Sequence, residues 1–481
     1  MLDLRPVTYV IGLLVVALGA AMLLPAGADM LLRNGHWDAF LLSAVISIAI
    51  GATMALSSAN GVSQRLNLQQ TFLLTTGVWL ALPVFAALPF VFGATEARYV
   101  DAFFEAMSGL TTTGSTVFDD LDTMPKGILL WRGLLQWFGG IGIIVVAMVF
   151  LPELRVGGMQ VFRSEGFETD GKILPRATEI ASRISSMYIA LTVICALTYA
   201  ALGMNGFDAM VHAMTTIATG GFANYDASFG GFGPGLEYAA TLFMILAALP
   251  MVRYVQILAG DLGELHRDSQ VRAFLVSLSA AAFVMFLWKW MTLGGGEEPL
   301  RKVLFNTTSI LTGTGYASAD YMQWGAFPVT IFFFIGLIGG CAGSTACSVK
   351  VFRYQILFSA VRAQIRSIHN PHGVFTPRFN GRTVTEDVLD SVMAFFVLFV
   401  LSLGVLSAAL ALTGLDLITS VSGAAAALAN IGPGLGPEIG PAGNFAGLND
   451  TAKWLLVAGM LVGRLELMVV FLLFTVRFWR A

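Results

Sequence analysis

The chain has 481 residues, 56% of them hydrophobic and 12% charged, with a mean hydropathy of +0.77 and a net charge of −3. A soluble domain carries about 25% charged residues, so much of this surface never meets water, and the small net charge gives no argument for nucleic-acid binding. Cys195, Cys341 and Cys347 fall in or beside apolar runs, and they are expected to act as small packing residues with no disulfide framework.

At the N-terminus, Arg5, an apolar run from Val7 to Leu24 and then Pro25-Ala26-Gly27-Ala28 could pass for a signal peptide. The run is longer than a usual signal core, so a retained first helix is expected. Apolar runs predict ten spanning helices, at about 7–24, 40–56, 70–93, 128–151, 182–202, 238–260, 271–291, 327–351, 388–412 and 452–476. Between the third and fourth lies a shorter stretch, Tyr99 to Leu110, followed by Thr111-Thr112-Thr113-Gly114-Ser115-Thr116. It is too short to span and predicts a re-entrant half-helix with a loop.

The layout returns three times. Gly206 to Ile217 leads into Ala218-Thr219-Gly220-Gly221-Phe222, Leu300 to Leu311 into Thr312-Gly313-Thr314-Gly315-Tyr316, and Asp416 to Ala429 into Asn430-Ile431-Gly432-Pro433-Gly434. Aligned on Gly114, Gly220, Gly315 and Gly432, the units are 106, 95 and 117 residues apart. The expected fold is an all-α membrane protein: two leading helices over 1–66, then four fused helix–pore-loop–helix repeats around one pore, over 67–160, 161–265, 266–375 and 376–481. With ten spans and both termini inside, cytoplasmic segments hold 18 of the 27 Lys and Arg residues, Arg65, Arg155, Arg163, Lys172 and Arg176 among them. That orientation satisfies the positive-inside rule and places all four loops outside.

A potassium ion sheds its water only where oxygens replace that shell, as rings of backbone carbonyls do. Glycine suits the crowded turn such a ring requires. The candidate ion-binding residues are Thr112, Thr113 and Gly114; Ala218, Thr219 and Gly220; Gly313, Thr314 and Gly315; and Asn430, Ile431 and Gly432. One such glycine alone would suit helix packing or an ordinary turn; four at like places favour a filter. No Asp or Glu lies in the four segments, which disfavours a divalent-cation site. Asp119, Asp120, Asp122, Asp226 and Asp320 follow closely behind, either as a cation-concentrating vestibule or as a solvated rim.

The eighth run contains Gly336, Gly339, Gly340, Gly343, Ser344 and Thr345, which suit either close helix packing or an unwound, movable segment beneath the filter. Arg464 sits with Glu466 inside the last run, where a charge is costly. It either faces the pore or pairs with Glu466 or another helix.

The filter loops, Trp131-Arg132-Gly133 through Gly139-Gly140-Ile141-Gly142, the Ala429 to Gly436 loop and Gly463-Arg464 resemble the Trk/Ktr/HKT superfamily of potassium transporters. The two leading helices make the chain most similar to the bacterial TrkH/TrkG subunits. The resemblance covers essentially the full length. It implies a homodimer in the bacterial inner membrane and a cytoplasmic nucleotide-binding partner of TrkA type, with ATP/ADP or NAD bound on that partner. It implies that Gly339–Thr345 and Arg464 obstruct the path below the filter. Glycine in all four loops is similar to potassium-selective members, while Ile431 and Pro433 depart from the Thr-Gly pattern as the TrkH group does.

No G-x-G-x-x-G precedes a βαβ unit and no G-x-x-x-x-G-K-[ST] occurs, so nucleotide control is expected from another subunit. The basic stretch from Lys350 to Arg382 suits a docking surface or an ordinary solvated inner loop. The rival function is a transporter coupled to protons or sodium, whose usual sign is buried carboxylates in spans; only Glu466 clearly meets it. An intramembrane enzyme is disfavoured, since there is no H-E-x-x-H and no Ser/His pairing within the spans.

Overall fold

The computed structural model describes residues 3–61, 66–145, 158–159, 177–261, 263–294 and 296–480. Arg65, Arg155, Arg163, Lys172 and Arg176 of the orientation argument, the end of the 128–151 run and the 160/161 repeat boundary lie outside them. The protein is a helical membrane protein. Among the described residues seven helical stretches are long and apolar enough to cross a membrane, or eight if one bent pair counts as a span.

The leading pair comprises α1 (Arg5–Ala21), continued by α2 (Leu23–Leu32), and α3 (Trp37–Ser58). Their crossing is close because both faces are bare: a Cβ on Gly12 would lie 2.7 Å from the Gly51 carbonyl, and one on Gly51 would lie 2.8 Å from the Gly12 carbonyl. Next comes α4 (Leu68–Ala86), begun by a capping box in which Asn67 and Gln70 bond each other's backbone N–H, and extended by α5 (Leu88–Phe92).

Four short helices follow at the predicted places. The first is α6 (Tyr99–Leu110), which leads through its loop to α7 (Lys126–Val145). Then α8 (Ala177–Ala201) precedes the second short helix, α9 (Gly206–Ile217). The predicted 238–260 span is two helices, α10 (Pro234–Ala247) and α11 (Met251–Leu258), bent by 89°. Pro250 explains the break: it lacks an N–H and forces its predecessor out of helical conformation. After α12 (Glu264–Arg267) and α13 (Ser269–Leu293) comes the third short helix, α14 (Glu297–Thr312).

The predicted 327–351 span is likewise discontinuous. Here α15 (Ala326–Gly336) ends in a non-helical segment, and α16 (Val351–His369) begins beyond it. Strands β1 (Arg378–Phe379) and β2 (Arg382–Thr383) form a small antiparallel hairpin before α17 (Glu386–Leu412) and the fourth short helix, α18 (Leu417–Ala429). The final predicted span, 452–476, is divided between α19 (Asp450–Arg464) and α20 (Met468–Leu473), with α21 (Val476–Arg480) after them. Glu466 and Leu467 adopt positive φ at that division, at 60° and 46°. Such backbone costs about 1–3 kcal/mol per residue and persists only where surroundings hold it.

Candidate functional site

The four short helices end alike. Each is closed by a residue in left-handed conformation: Thr112 (φ 50°), Thr219 (48°), Gly313 (77°) and Asn430 (51°). A second positive φ follows two residues later at Gly114, Gly221 and Gly315. The backbone bonds agree: N–H groups of Thr113, Gly220 and Ile431 all reach the carbonyl five residues back. The structure therefore sets Gly221, not Gly220, beside Gly114, Gly315 and Gly432. Two successive glycines in the second loop made the one-residue offset invisible to spacing alone.

The loops meet in a closed ring. A Cβ on Gly114 would lie 2.1 Å from the Gly220 carbonyl oxygen, and one on Gly221 would lie 1.9 Å from that of Thr314. A Cβ on Gly315 would lie 2.8 Å from the Gly432 nitrogen, and one on Gly432 would lie 3.0 Å from the Gly114 carbonyl oxygen. Ser115 Oγ completes the closure, donating to the Gly432 carbonyl at 2.7 Å. The C-terminal ends of four helices, each with partial negative charge, thus converge on one locus of buried backbone.

Each loop is tied back to its own helix. Glu105, seven residues before Thr112, accepts from the Val117 N–H at 2.9 Å. His212, seven before Thr219, accepts through Nε2 from Asn224 N–H at 3.4 Å, while its Nδ1–H donates to the Asp208 carbonyl at 2.9 Å. Asn306, seven before Gly313, accepts from Ser318 N–H at 3.1 Å. In the fourth unit Ser422 Oγ accepts from Leu435 N–H at 2.9 Å. In all four the bonded N–H lies five residues after the left-handed one.

Helix α7 braces the first two loops against each other. Arg132, buried, donates to Glu105 at 2.7 Å, to the Ala223 carbonyl at 2.8 Å and to Thr116 Oγ1 at 3.2 Å, and its guanidinium lies 4.2 Å from the Phe222 ring centre. One turn on, Gln136 donates to the Gly220 carbonyl at 2.7 Å and accepts from Phe222 N–H at 3.0 Å. A cavity of about 260 Å³ opens onto the ring, reaching Gly114, Gly221, Gly315 and Gly432. Of the five carboxylates named from sequence, Asp119 and Asp226 line it. Asp122 accepts from Asp226 N–H at 3.2 Å, and partial burial, with Asp122 nearby, raises the Asp226 carboxyl above its ordinary range.

On the other side of the ring stands the segment between α15 and α16. Its Cys347 lies 3.5 Å from Thr112 Oγ1, and a Cβ on Gly313 would come within 3.4 Å of the Cys347 side chain. Ser348 N–H donates to the Ala429 carbonyl at 3.0 Å. Two of the predicted gate residues, Gly343 and Thr345, together with Cys341, are held at the α10–α11 break. Thr345 donates to Ala247 at 3.0 Å, Cys341 N–H to Ala248 at 3.0 Å, and Met251 N–H to Gly343 at 2.9 Å. Gly340 accepts from the Val351 N–H at 3.0 Å, and a Cβ on Gly339 would meet the Cys347 carbonyl at 2.3 Å. Ser344 Oγ donates to the Cys341 carbonyl at 2.7 Å.

Arg464 is buried at the same level. It donates to Cys347 Sγ at 2.8 Å and to the Gly139 carbonyl at 3.2 Å, 5.6 Å from the Trp79 ring centre. Its Nε has no hydrogen-bond partner among the described residues. Glu466 instead accepts from Lys350, at 3.0 Å, and from Arg353.

Sequence reasoning missed Arg132, Gln136, Glu105, Cys347, Lys350 and Arg353 as parts of this site. An ionisable or amide side chain inside an apolar run was the available signal for Arg132 and Gln136. Nor is Glu466 alone as a buried carboxylate in the helices: Glu237 in α10 is buried and bonded to Arg301 at 2.6 Å and Lys302 at 2.7 Å.

Comparison with known proteins matches residues 36–293 and 296–479 to the TrkH family model, described as a cation transport protein. The Trk system potassium uptake protein TrkI of Halomonas elongata is 42% identical over 477 residues, which is 99% of this chain and 97% of that protein. TrkH of Salmonella typhimurium is 36% identical over 483 residues, 99% of each. The crystal structure of the potassium transporter TrkH from Vibrio parahaemolyticus superposes with a TM-score of 0.92 at 32% identity, covering 100% of both chains.

Proposed function

This chain belongs to the TrkH family of cation transport proteins, and we propose that it carries potassium into the cell across a bacterial inner membrane through the ring of four loops. The observation that supports this most is the ring's closure, with one glycine from each loop facing the same cavity. Backbone carbonyls gathered there would replace potassium's water, and four helix C-termini would favour a cation over an anion. Proposed repeats over 67–160, 161–265, 266–375 and 376–481 each contribute one helix–loop quarter, and both chain ends face the cytoplasm.

Below the ring, Arg464 and the segment through Cys347 form the barrier. A guanidinium fixed beside a narrow path repels a cation, and the low dielectric of its surroundings strengthens that repulsion. Relatives bear the name of a Trk system, which fits regulation by a second component. We assign that role to a TrkA-type, nucleotide-binding subunit on the cytoplasmic face of a homodimer. Helix α16 suits its contact: it begins at Lys350 and Arg353, next to the barrier, and presents Arg362 and Arg366 on its exposed surface. Purified protein in liposomes, under imposed potassium, sodium and proton gradients, tests the reading. Potassium flux that follows its own gradient supports a channel; flux driven by protons or sodium indicates a symporter; no potassium flux defeats the assignment.

A further inference from the structure

A cavity of about 540 Å³ lies between α1, α4, α7 and α8. That volume is within the range of about 300–1,000 Å³ usual for ligand sites. Its mouth is at Leu14 and Ala17, both exposed. Its inner end is formed by Trp79, Leu110, Phe138 and Gly139. We propose that this cavity is a binding site for one acyl chain of a membrane phospholipid, entering sideways and ending against the residues that seat Arg464.

The chemistry of the lining selects the occupant. Among the described residues it contains no ionisable group, and its two hydroxyls already have partners: Thr75 Oγ1 donates to the Thr71 carbonyl at 2.8 Å, and Ser185 Oγ donates to that of Ala181 at 2.7 Å. Ordered water needs two to four polar partners, so an apolar cavity of this kind does not hold it. Left empty, the lining would forfeit its dispersion contacts on one side. Position decides what reaches the mouth. Leu14 is nine residues into the helical stretch Arg5–Leu32, about 14 Å along its axis at 1.5 Å per residue. That is near the middle of a hydrocarbon layer about 30 Å thick, where lipid tails are the available molecules.

The inner end connects this site to the barrier. The Gly139 carbonyl accepts from Arg464, and the Trp79 ring lies beside the guanidinium. Gly139 also abuts α6, since a Cβ there would lie 1.9 Å from the Leu110 carbonyl oxygen. A chain packed on Trp79 and Phe138 therefore supports the wall on which Arg464 rests. This functional consequence rests on the proposed transport role; the binding site does not.

The test uses the full-length protein in phosphatidylethanolamine–phosphatidylglycerol vesicles containing a phospholipid with a mid-chain diazirine. After illumination, labelled peptides are mapped by mass spectrometry. Labelling of α1, α4 and α7 at the cavity should exceed that of lipid-facing α13 several-fold. Val78→Trp, and separately Gly142→Leu, should each reduce it to the α13 level. Two fills guard against misfolding in one; Gly142 is well suited because its added Cβ would meet only Trp79, at 3.9 Å. Labelling no stronger than on α13, labelling unchanged by both fills, or photocross-links between two protein copies in place of lipid adducts would overturn the site. Lost labelling with unaltered potassium flux would overturn only the link to Arg464.

Discussion

Arg464 and Glu466 are two residues apart in the chain and are not partners: Arg464 donates to the thiol of Cys347, while Glu466 is bonded to Lys350 and Arg353. The separation removes the objection that losing Arg464 strands a buried carboxylate. Arg464→Ala should therefore preserve folded yield and raise potassium flux per folded protein several-fold, with selectivity nearly unchanged because the ring is separate. Liposome flux normalised to monodisperse protein checks it; unchanged or lower flux sinks the barrier role. Glu466→Ala should behave oppositely. It removes the counter-charge of two buried cations and should destabilise the protein by about 3–5 kcal/mol, read as an earlier unfolding midpoint in detergent.

The glycines of the ring should rank by backbone geometry. Gly114, Gly221 and Gly315 have positive φ, and their added Cβ atoms would meet neighbouring backbone at 2.8 Å or less. Replacement by Ser should reduce discrimination of potassium over sodium in each. Gly432, with negative φ and a nearest approach of 3.0 Å, should tolerate Ala best. Reversal potentials or competitive flux would expose a different ranking.

Gln136 holds one loop through two bonds that a leucine cannot make. Gln136→Leu leaves the buried Gly220 carbonyl and Phe222 N–H unsatisfied, at about 1–3 kcal/mol each. Selectivity should fall with the second loop's loss of order. Gln136→Glu keeps the acceptor and loses the donor, so its defect should be intermediate. Equal potassium-to-sodium ratios in all three proteins would exclude a positioning role.

Charge reversal at Arg362 and Arg366 together should weaken capture of the proposed cytoplasmic nucleotide-binding subunit, and added salt should weaken the wild-type complex likewise. Retention of the subunit at wild-type strength across a salt series would move the docking surface off α16.

Asp226→Asn should lower uptake at low external potassium more than at saturation, because a vestibule carboxylate raises local cation concentration. The same residue sets a pH dependence. Its raised pKa means that acidification neutralises it before an ordinary aspartate, so wild-type uptake at low potassium should fall as pH drops, and the Asn variant should fall less. Parallel pH profiles would refute the assignment.

The helix-and-loop repetition was legible because it is written in local terms: apolar run length, a half-length helix, then glycine. The register of the second loop was not, since Gly220 and Gly221 are the same residue type and only backbone conformation separates them. The break at Pro250 was visible as a residue but lay inside an apolar run that composition reads as continuous. Contacts such as Arg132 to Glu105 and Arg464 to Cys347 join residues 27 and 117 positions apart. No periodicity encodes such pairings; they follow from how helices distant in the chain are brought together. Of the two readings the glycine-rich run allowed, the chain beyond Gly336 adopts the non-helical one, yet Cys347, beyond its glycines, lies against Thr112 of the ring.

The four ties that fasten the loops, by Glu105, His212, Asn306 and Ser422, use a carboxylate, an imidazole, an amide and a hydroxyl for one task, the first three seven residues before the left-handed residue and the last eight. An assembly of four identical subunits could not do this: any side chain given that task would appear four times. Four carboxylates crowded around so narrow a locus would repel one another, as would four copies of a buried arginine. Carrying the four loops on a single polypeptide lets a charge be installed once, beside one loop, and lets each loop drift or be retuned by a single codon without disturbing the other three.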